Sequence, residues 1–191
     1  GHRSNATSSG NRSGDTMNRF IAALAFAAHK HRDQRRKDIA ASPYINHPIA
    51  LADVLANEGR VLDVVVLSAA MLHDTIEDTC TTADELALHF GPRIAAVVVE
   101  VSDDRSLDKA TRKLRQIEHA PHLSPEAKLV KLADKICNLR DILASPPVHW
   151  PLQRQQAYFD WSAQVIAGVR GVHPQLEAVF DTLYARRPGQ G

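Results

Sequence analysis

Seven consecutive residues, Leu72-His73-Asp74-Thr75-Ile76-Glu77-Asp78, carry four ionisable side chains. They directly follow the apolar run Val64-Val65-Val66-Leu67-Ser68-Ala69-Ala70-Met71. A carboxylate set against a core helix is costly to desolvate unless it has partners. On one continuous helix, turning about 100° per residue, His73 and Glu77 share a face, as do Asp74 and Asp78. The four heads are then expected to fan over one side of one turn. Three carboxylates that close repel one another unless protons or a cation neutralise them, and a divalent metal ion is the simplest solution.

Two other places offer matching chemistry. His47 stands between Asn46 and Pro48 at a helix start, where a lone histidine is more often a cap than a ligand. Asp134, within Lys131-Leu132-Ala133-Asp134-Lys135-Ile136-Cys137-Asn138-Leu139-Arg140, shares a helical stripe with Val130 and Cys137 and so points partly inward. Taken alone, a neighbouring Lys or Arg would neutralise it. Together, His47, His73, Asp74 and Asp134 supply two imidazoles and two carboxylates from three separate helices. That donor set suits Mn²⁺ or Fe²⁺ with positions left open for water. It is not the thiolate-rich set of a structural zinc site, and neither Cys80 nor Cys137 has ligand spacing.

The elements that must position these residues are helices. The chain has 191 residues, 44% hydrophobic and 24% charged, which fits one soluble globular domain. Aromatics are only 5%, and Ala and Leu are abundant, favouring helix over strand. Residues 1–15 read as a disordered tail of Gly, Ser, Asn and Arg, and 16–187 as the folded domain. Helical patterning starts near Met17. Pro48 opens a helix that Gly59 closes, and Asp63 caps the helix of the opening stretch, although Val64-Val65-Val66 also suits a buried strand. Thr82-Ala83-Asp84-Glu85 fits a capping box, Pro92 starts a further helix, and Ser124-Pro125-Glu126 opens the helix of Asp134. The expectation is an all-α bundle of about eight to ten helices. The basic run from His29 to Asp38, taken alone, reads as a solvated helix end and loop.

A net charge of +1 predicts neither nucleic acid nor membrane binding. No apolar run is long enough to span a bilayer and no signal-peptide core is present. Two cysteines are too few for a disulfide scaffold, so a cytoplasmic protein is expected. Monomer and homo-oligomer both stay open.

Three blocks in order carry a resemblance: Tyr44-Ile45-Asn46-His47-Pro48, the stretch Leu72 to Asp78, and Lys131-Leu132-Ala133-Asp134-Lys135 with Asn138-Leu139-Arg140. The chain resembles the HD superfamily of metal-dependent phosphohydrolases over roughly residues 19 to 187. More narrowly, it is similar to the MESH1-like small alarmone hydrolases, related to the hydrolase half of the RelA/SpoT enzymes. The resemblance implies an HD-type bundle with His47, His73, Asp74 and Asp134 as metal ligands. It implies Mn²⁺, ahead of Fe²⁺ or Zn²⁺, and Glu77 and Asp78 as catalytic residues. The implied reaction is hydrolysis of the 3′-pyrophosphate of guanosine tetra- or pentaphosphate to GDP or GTP and pyrophosphate.

The resemblance further sets Arg36 and Lys37 against the guanine base and Tyr44, Lys131 and Asn138 in the nucleotide pocket. It leaves Arg140 as either a phosphate contact or a helix-end charge. Two departures bear on base recognition: a slightly longer loop before His47, and Asp141 where an uncharged Thr is more usual. Two other activities fit the same residues. One is a phosphatase on another ribose phosphate, such as the 2′-phosphate of NADPH. The other is a non-catalytic nucleotide-binding domain, against which the intact Glu77-Asp78 pair speaks. No synthetase-like region follows the last helix, so degradation of the alarmone, not synthesis, is expected.

Overall fold

The computed structural model describes residues 9–189, with side chains from residue 13. Its helices are α1 (Ser9–Lys30), α2 (Asn46–Asp53), α3 (Val64–Leu72), α4 (Thr75–Asp78) and α5 (Ala83–Phe90). They continue as α6 (Pro92–Val101), α7 (Lys109–His119), α8 (Pro125–Ala144), α9 (Leu152–Val169) and α10 (Pro174–Tyr184). Among the described residues there is no strand, only an isolated bridge between Arg35 and Pro43. The fold is all-α. No helix of the described residues is long and apolar enough to cross a membrane.

The triplet Val64-Val65-Val66 is helical, not extended. Asp63 secures the start of α3 by accepting from the backbone N–H groups of Val65 (2.7 Å) and Val66 (3.4 Å). Packing does the rest: α3 touches α1, α2, α6 and α8, and Val66, Ala69, Ala70, Met71 and Leu72 are all buried. A helix surrounded on every side can carry β-branched residues throughout, because burial outweighs their small propensity cost.

Several boundaries differ from the sequence reading. Helix α1 begins at Ser9, so residues 9–15, expected in a disordered tail, are helical; residues 1–8 of that tail lie outside the described residues. Extending a helix already docked through Ala23 and Ala27 costs less than nucleating one, even in a Gly- and Ser-rich segment. Helix α2 starts at Asn46, two residues before Pro48, and ends in a π-helical turn, Val54–Glu58. The capping box of α5 is half formed. Thr82 accepts from the Glu85 N–H (3.1 Å), but the Glu85 carboxylate pairs with Lys30 (3.0 Å).

Gly59 ends that π turn with an ordinary φ of −92°. Glycine is needed there for room: a Cβ would stand 2.8 Å from Leu176 Cδ1 and 3.0 Å from the Leu55 carbonyl oxygen.

The largest correction concerns the opening stretch. It is not one helix. Helix α3 stops at Leu72, Asp74 takes φ −102° and ψ 1°, and α4 starts afresh at Thr75. The Thr75 hydroxyl donates to the freed Leu72 carbonyl (2.7 Å), satisfying an acceptor that a continuous helix would have used. Of the four ionisable side chains, His73 and Asp74 therefore leave from the corner, and Glu77 and Asp78 from α4.

Candidate metal centre and catalytic cleft

Helix α2 brings His47, the end of α3 brings His73, and α8 brings Asp134. One ligand atom from each lies within 4.8 Å of the other two. His47 Nε2 is 3.0 Å from Asp134 Oδ1, and His73 Nε2 is 3.5 Å from the same oxygen. Both histidines are buried, at 5% exposure.

Asp74, at the α3–α4 corner, stands beside this trio: its Oδ2 is 3.0 Å from His73 Nε2 and accepts a hydrogen bond from the Tyr44 hydroxyl. Burial resists ionisation of Asp74 and Asp134. The His73 side chain beside Asp74, and Lys135 with the two histidines beside Asp134, nonetheless hold both pKa values below the usual range. Burial also opposes a charge on His73, but Asp74 and Asp134 outweigh it and raise its pKa well above the ordinary value.

This donor set fits a divalent cation. His73 Nδ1 is 2.7 Å from the Ala70 carbonyl oxygen and must donate to it, which leaves the Nε2 lone pair facing two carboxylates. Lone pair against lone pair is repulsive, and a proton or a metal ion between them resolves it. Backbone anchoring of the far ring nitrogen is also how metal-binding imidazoles are oriented. His73 Nε2 is buried without a hydrogen-bond partner among the described residues.

Glu77 and Asp78 follow on α4 and are anchored differently. Glu77 Oε1 accepts from the backbone N–H of Asp103, in the loop between α6 and α7. Burial, with Asp103 and Asp74 nearby, pushes its pKa up to about 7, against the Asp103 hydrogen bond and Lys131. Asp78 has a donor on each oxygen: Arg105 Nη1 at 3.1 Å and Gln34 Nε2 at 3.4 Å. Burial raises its pKa too.

All of these residues line one cavity of about 700 Å³. Of the nucleotide contacts implied by the sequence, Arg36, Lys37, Tyr44, Lys131 and Asn138 line it as well. Their surroundings sharpen the picture. Arg36 Nη2 pairs with Asp141 Oδ2 at 2.6 Å, so the aspartate that departs from the usual pattern fixes the guanidinium. Lys131 is buried, with Nζ 3.1 Å from Gln116 Oε1 and 3.4 Å from the Val101 carbonyl oxygen. Asn138 donates to the Tyr158 hydroxyl at 2.7 Å.

Arg140 is not brought to the cavity. Its guanidinium grips Glu58 through two hydrogen bonds of 2.6 and 2.7 Å, tying α8 to the π turn. It stands within α8, short of the helix end, in an ion pair with Glu58.

Other residues of the cleft escaped the sequence reading. Lys135 is buried with Nζ 3.2 Å from Asp134 Oδ2 and 4.2 Å from the Trp161 ring centre. Trp150 and Tyr158 line the cavity, with Arg154 set over the Trp150 ring at 4.4 Å. Outside the cavity lining, Lys113 lies over the Tyr158 and Trp161 rings, and Lys109 and Lys113 have lowered pKa values, first through partial burial and then through neighbouring cations such as Arg154. Only one signal could have pointed to this region, namely aromatic residues beside cations in a chain otherwise poor in aromatics.

The HD domain family profile matches residues 23–158. Relatives sharpen this. The guanosine-3′,5′-bis(diphosphate) 3′-pyrophosphohydrolase MESH1 of Mus musculus is 52% identical over 174 residues, covering 91% of this chain and 97% of that protein. The protein of the same name from Drosophila melanogaster is 43% identical over 169 residues, covering 88% and 94%. A solved structure of a metazoan ortholog of SpoT that hydrolyses ppGpp superposes with a TM-score of 0.87 at 43% identity, covering 89% of this chain and 96% of that one. The chain belongs to the HD domain family and, within it, to the group that the MESH1 proteins form.

Proposed function

We propose that the chain is a divalent-metal-dependent guanosine-3′,5′-bis(diphosphate) 3′-pyrophosphohydrolase, with Mn²⁺ as its ion. It converts guanosine tetra- or pentaphosphate and water to GDP or GTP and pyrophosphate, and it acts in the cytoplasm. One observation carries the reading: the His47–His73–Asp134 donor cluster shares a cavity with Glu77, Asp78 and the basic residues Arg36, Lys37 and Lys131.

His47, His73, Asp74 and Asp134 would hold the ion. Such an ion acidifies water and offsets the charge of a phosphoryl group in transfer. Tyr44 fixes Asp74 by donating its hydroxyl proton to Oδ2. Water adds to the phosphorus on the ribose 3′ oxygen, the 3′ O–P bond breaks, and pyrophosphate departs as the 3′ oxygen takes a proton.

Glu77 accepts the proton of the attacking water. Its pKa of about 7 lets it hold a proton and give it up near neutral pH, and Asp103 secures only one of its oxygens. Asp78, with a donor on each oxygen, orients the water. Arg36, paired with Asp141, and Lys37 pack against the base.

Product analysis tests the assignment. Protein with Mn²⁺ is challenged in parallel with guanosine tetraphosphate and NADPH. GDP and pyrophosphate as the faster products support the reading; NADH and phosphate as the faster products overturn the choice of substrate.

A further inference from the structure

His31, the first residue after α1, is buried to 2% exposure, although it belongs to a run that reads as solvated. Its Nδ1 lies 2.8 Å from Gln34 Oε1, and Gln34 Nε2 lies 3.4 Å from Asp78 Oδ2. An ionised carboxylate only accepts hydrogen bonds, so the Gln34 amide must turn its NH₂ to Asp78 and its oxygen to His31. His31 must then carry its proton on Nδ1. The order of donors along the three residues is fixed.

The backbone holds this arrangement from both sides. The Gln34 N–H donates to the His31 carbonyl (2.9 Å), and the Gln34 carbonyl accepts from the Tyr44 N–H (3.0 Å). The His31 and Tyr44 rings meet with centres 4.8 Å apart. One segment therefore grips two carboxylates at the two ends of α4, Asp74 through Tyr44 and Asp78 through Gln34. The other anchor of Asp78, Arg105, has a side chain 58% exposed, and an ion pair at such a site is weak. A second, smaller cavity bordered by Lys30 and Cys80 meets the main one at Gln34 and Asp78, so hydrogen bonds, more than packing, must set the Asp78 rotamer.

We propose that His31 and Gln34 form a two-link hydrogen-bond relay that positions the Asp78 carboxylate for hydrolysis, with Gln34 as a positioning residue. The proposal rests on the reading of Asp78 as a working carboxylate of the cleft. The plainer alternative is that His31 and Gln34 only close the end of α1.

Kinetics and NMR together separate the two. In the Mn²⁺-loaded protein, Gln34→Met lowers kcat about tenfold with KM and metal affinity within about twofold of the parent. Gln34→Glu, which sets a carboxylate against Asp78, lowers kcat further. In an Asp78→Asn background, Gln34→Met causes no additional loss, because the group it positions is gone. In unsubstituted protein with diamagnetic Mg²⁺, imidazole ¹⁵N shifts show His31 as the Nδ1–H tautomer.

Full kcat in Gln34→Met overturns the relay, as does an additive loss in the Asp78→Asn background. So does a His31 Nε2–H tautomer, a measurement that needs no variant to fold. An Asp78→Asn protein at parental kcat overturns the reading of Asp78 itself, and the relay with it.

Discussion

His47 Nε2 stands 3.0 Å from Asp134 Oδ1 across 87 residues of sequence. With His73 3.5 Å from the same oxygen, one carboxylate oxygen joins α2, α3 and α8. Removing any of the three side chains breaks the donor set. Asp134→Ala and His73→Ala are each expected to lose stoichiometric metal, measured by elemental analysis after dialysis, and with it all turnover. Arg140→Ala, which breaks only the ion pair to Glu58, keeps both. Full turnover in metal-free His73→Ala would contradict the centre.

The charges around the metal-free centre make its stability depend on pH in a definite direction. The His73 pKa lies well above 6.5 in the fold, so its contribution is fully present below pH 6.5 and fades as pH rises through the folded value. Glu77, raised from 4.5 to about 7, acts in the same sense: its contribution is full below about pH 4.5 and lost once pH has risen through about 7. Asp74 and Asp134, both lowered from 3.8, contribute above that value and fail only as pH falls below it. Metal-free protein is therefore expected to lose thermal stability as pH climbs from about 4.5, through Glu77 up to about 7 and through His73 above 6.5, where a bound metal replaces the proton on His73. Melting curves with and without Mn²⁺ should diverge as pH rises. A constant gap from pH 6 to 9 would contradict this account.

Glu77→Gln retains the shape of the side chain but cannot take a proton. We expect it to bind metal normally and to lose about 10²- to 10⁴-fold in kcat. In the unsubstituted protein, kcat/KM should rise with pH through about 7 as Glu77 becomes the free carboxylate. If Glu77→Gln also sheds the metal, Glu77 is a ligand and not the base.

Lys37 lines the cavity but touches neither the metal donors nor Glu77 and Asp78 through any hydrogen bond or ion pair among the described residues. Lys37→Ala should raise KM for guanosine tetraphosphate more than it lowers kcat, the signature of lost ground-state binding. Steady-state kinetics at two salt concentrations checks it, since the effect should shrink as salt screens the contact. An unchanged KM would take Lys37 out of substrate binding.

Gly59→Ala tests a contact far from the chemistry. The new Cβ would press on Leu176 and on the Leu55 carbonyl, and we expect a loss of about 1–3 kcal/mol. Thermal unfolding should show it while metal affinity is retained.

Much of the centre was legible in the sequence because its residue types are out of place where they fall. Histidine at a helix start, an acid on a core stripe and a carboxylate cluster after an apolar run each ask for a partner, and the three answer one another. The corner at Asp74 was not legible. No Gly or Pro marks it, and it depends on the Thr75 hydroxyl reaching the Leu72 carbonyl. Lys135 was hidden beside Asp134, because its burial rests on the Trp161 ring supplied by α9. His31 and Gln34 were masked by the cations around them, which give a basic segment the look of solvent-facing chain. Arg140 lay within a matching motif, yet nothing local showed that Glu58 would claim it.

The ligands' separation along the chain has a consequence for dynamics. No partly folded intermediate that lacks any one of α2, α3 and α8 can present the full donor set. Cation binding therefore acts on global opening and leaves fraying at the chain ends untouched. Amide protons in those three helices should slow together in hydrogen exchange when the ion is added, while those near the start of α1 exchange as before. Ion uptake during refolding would accordingly time the last docking event among these helices.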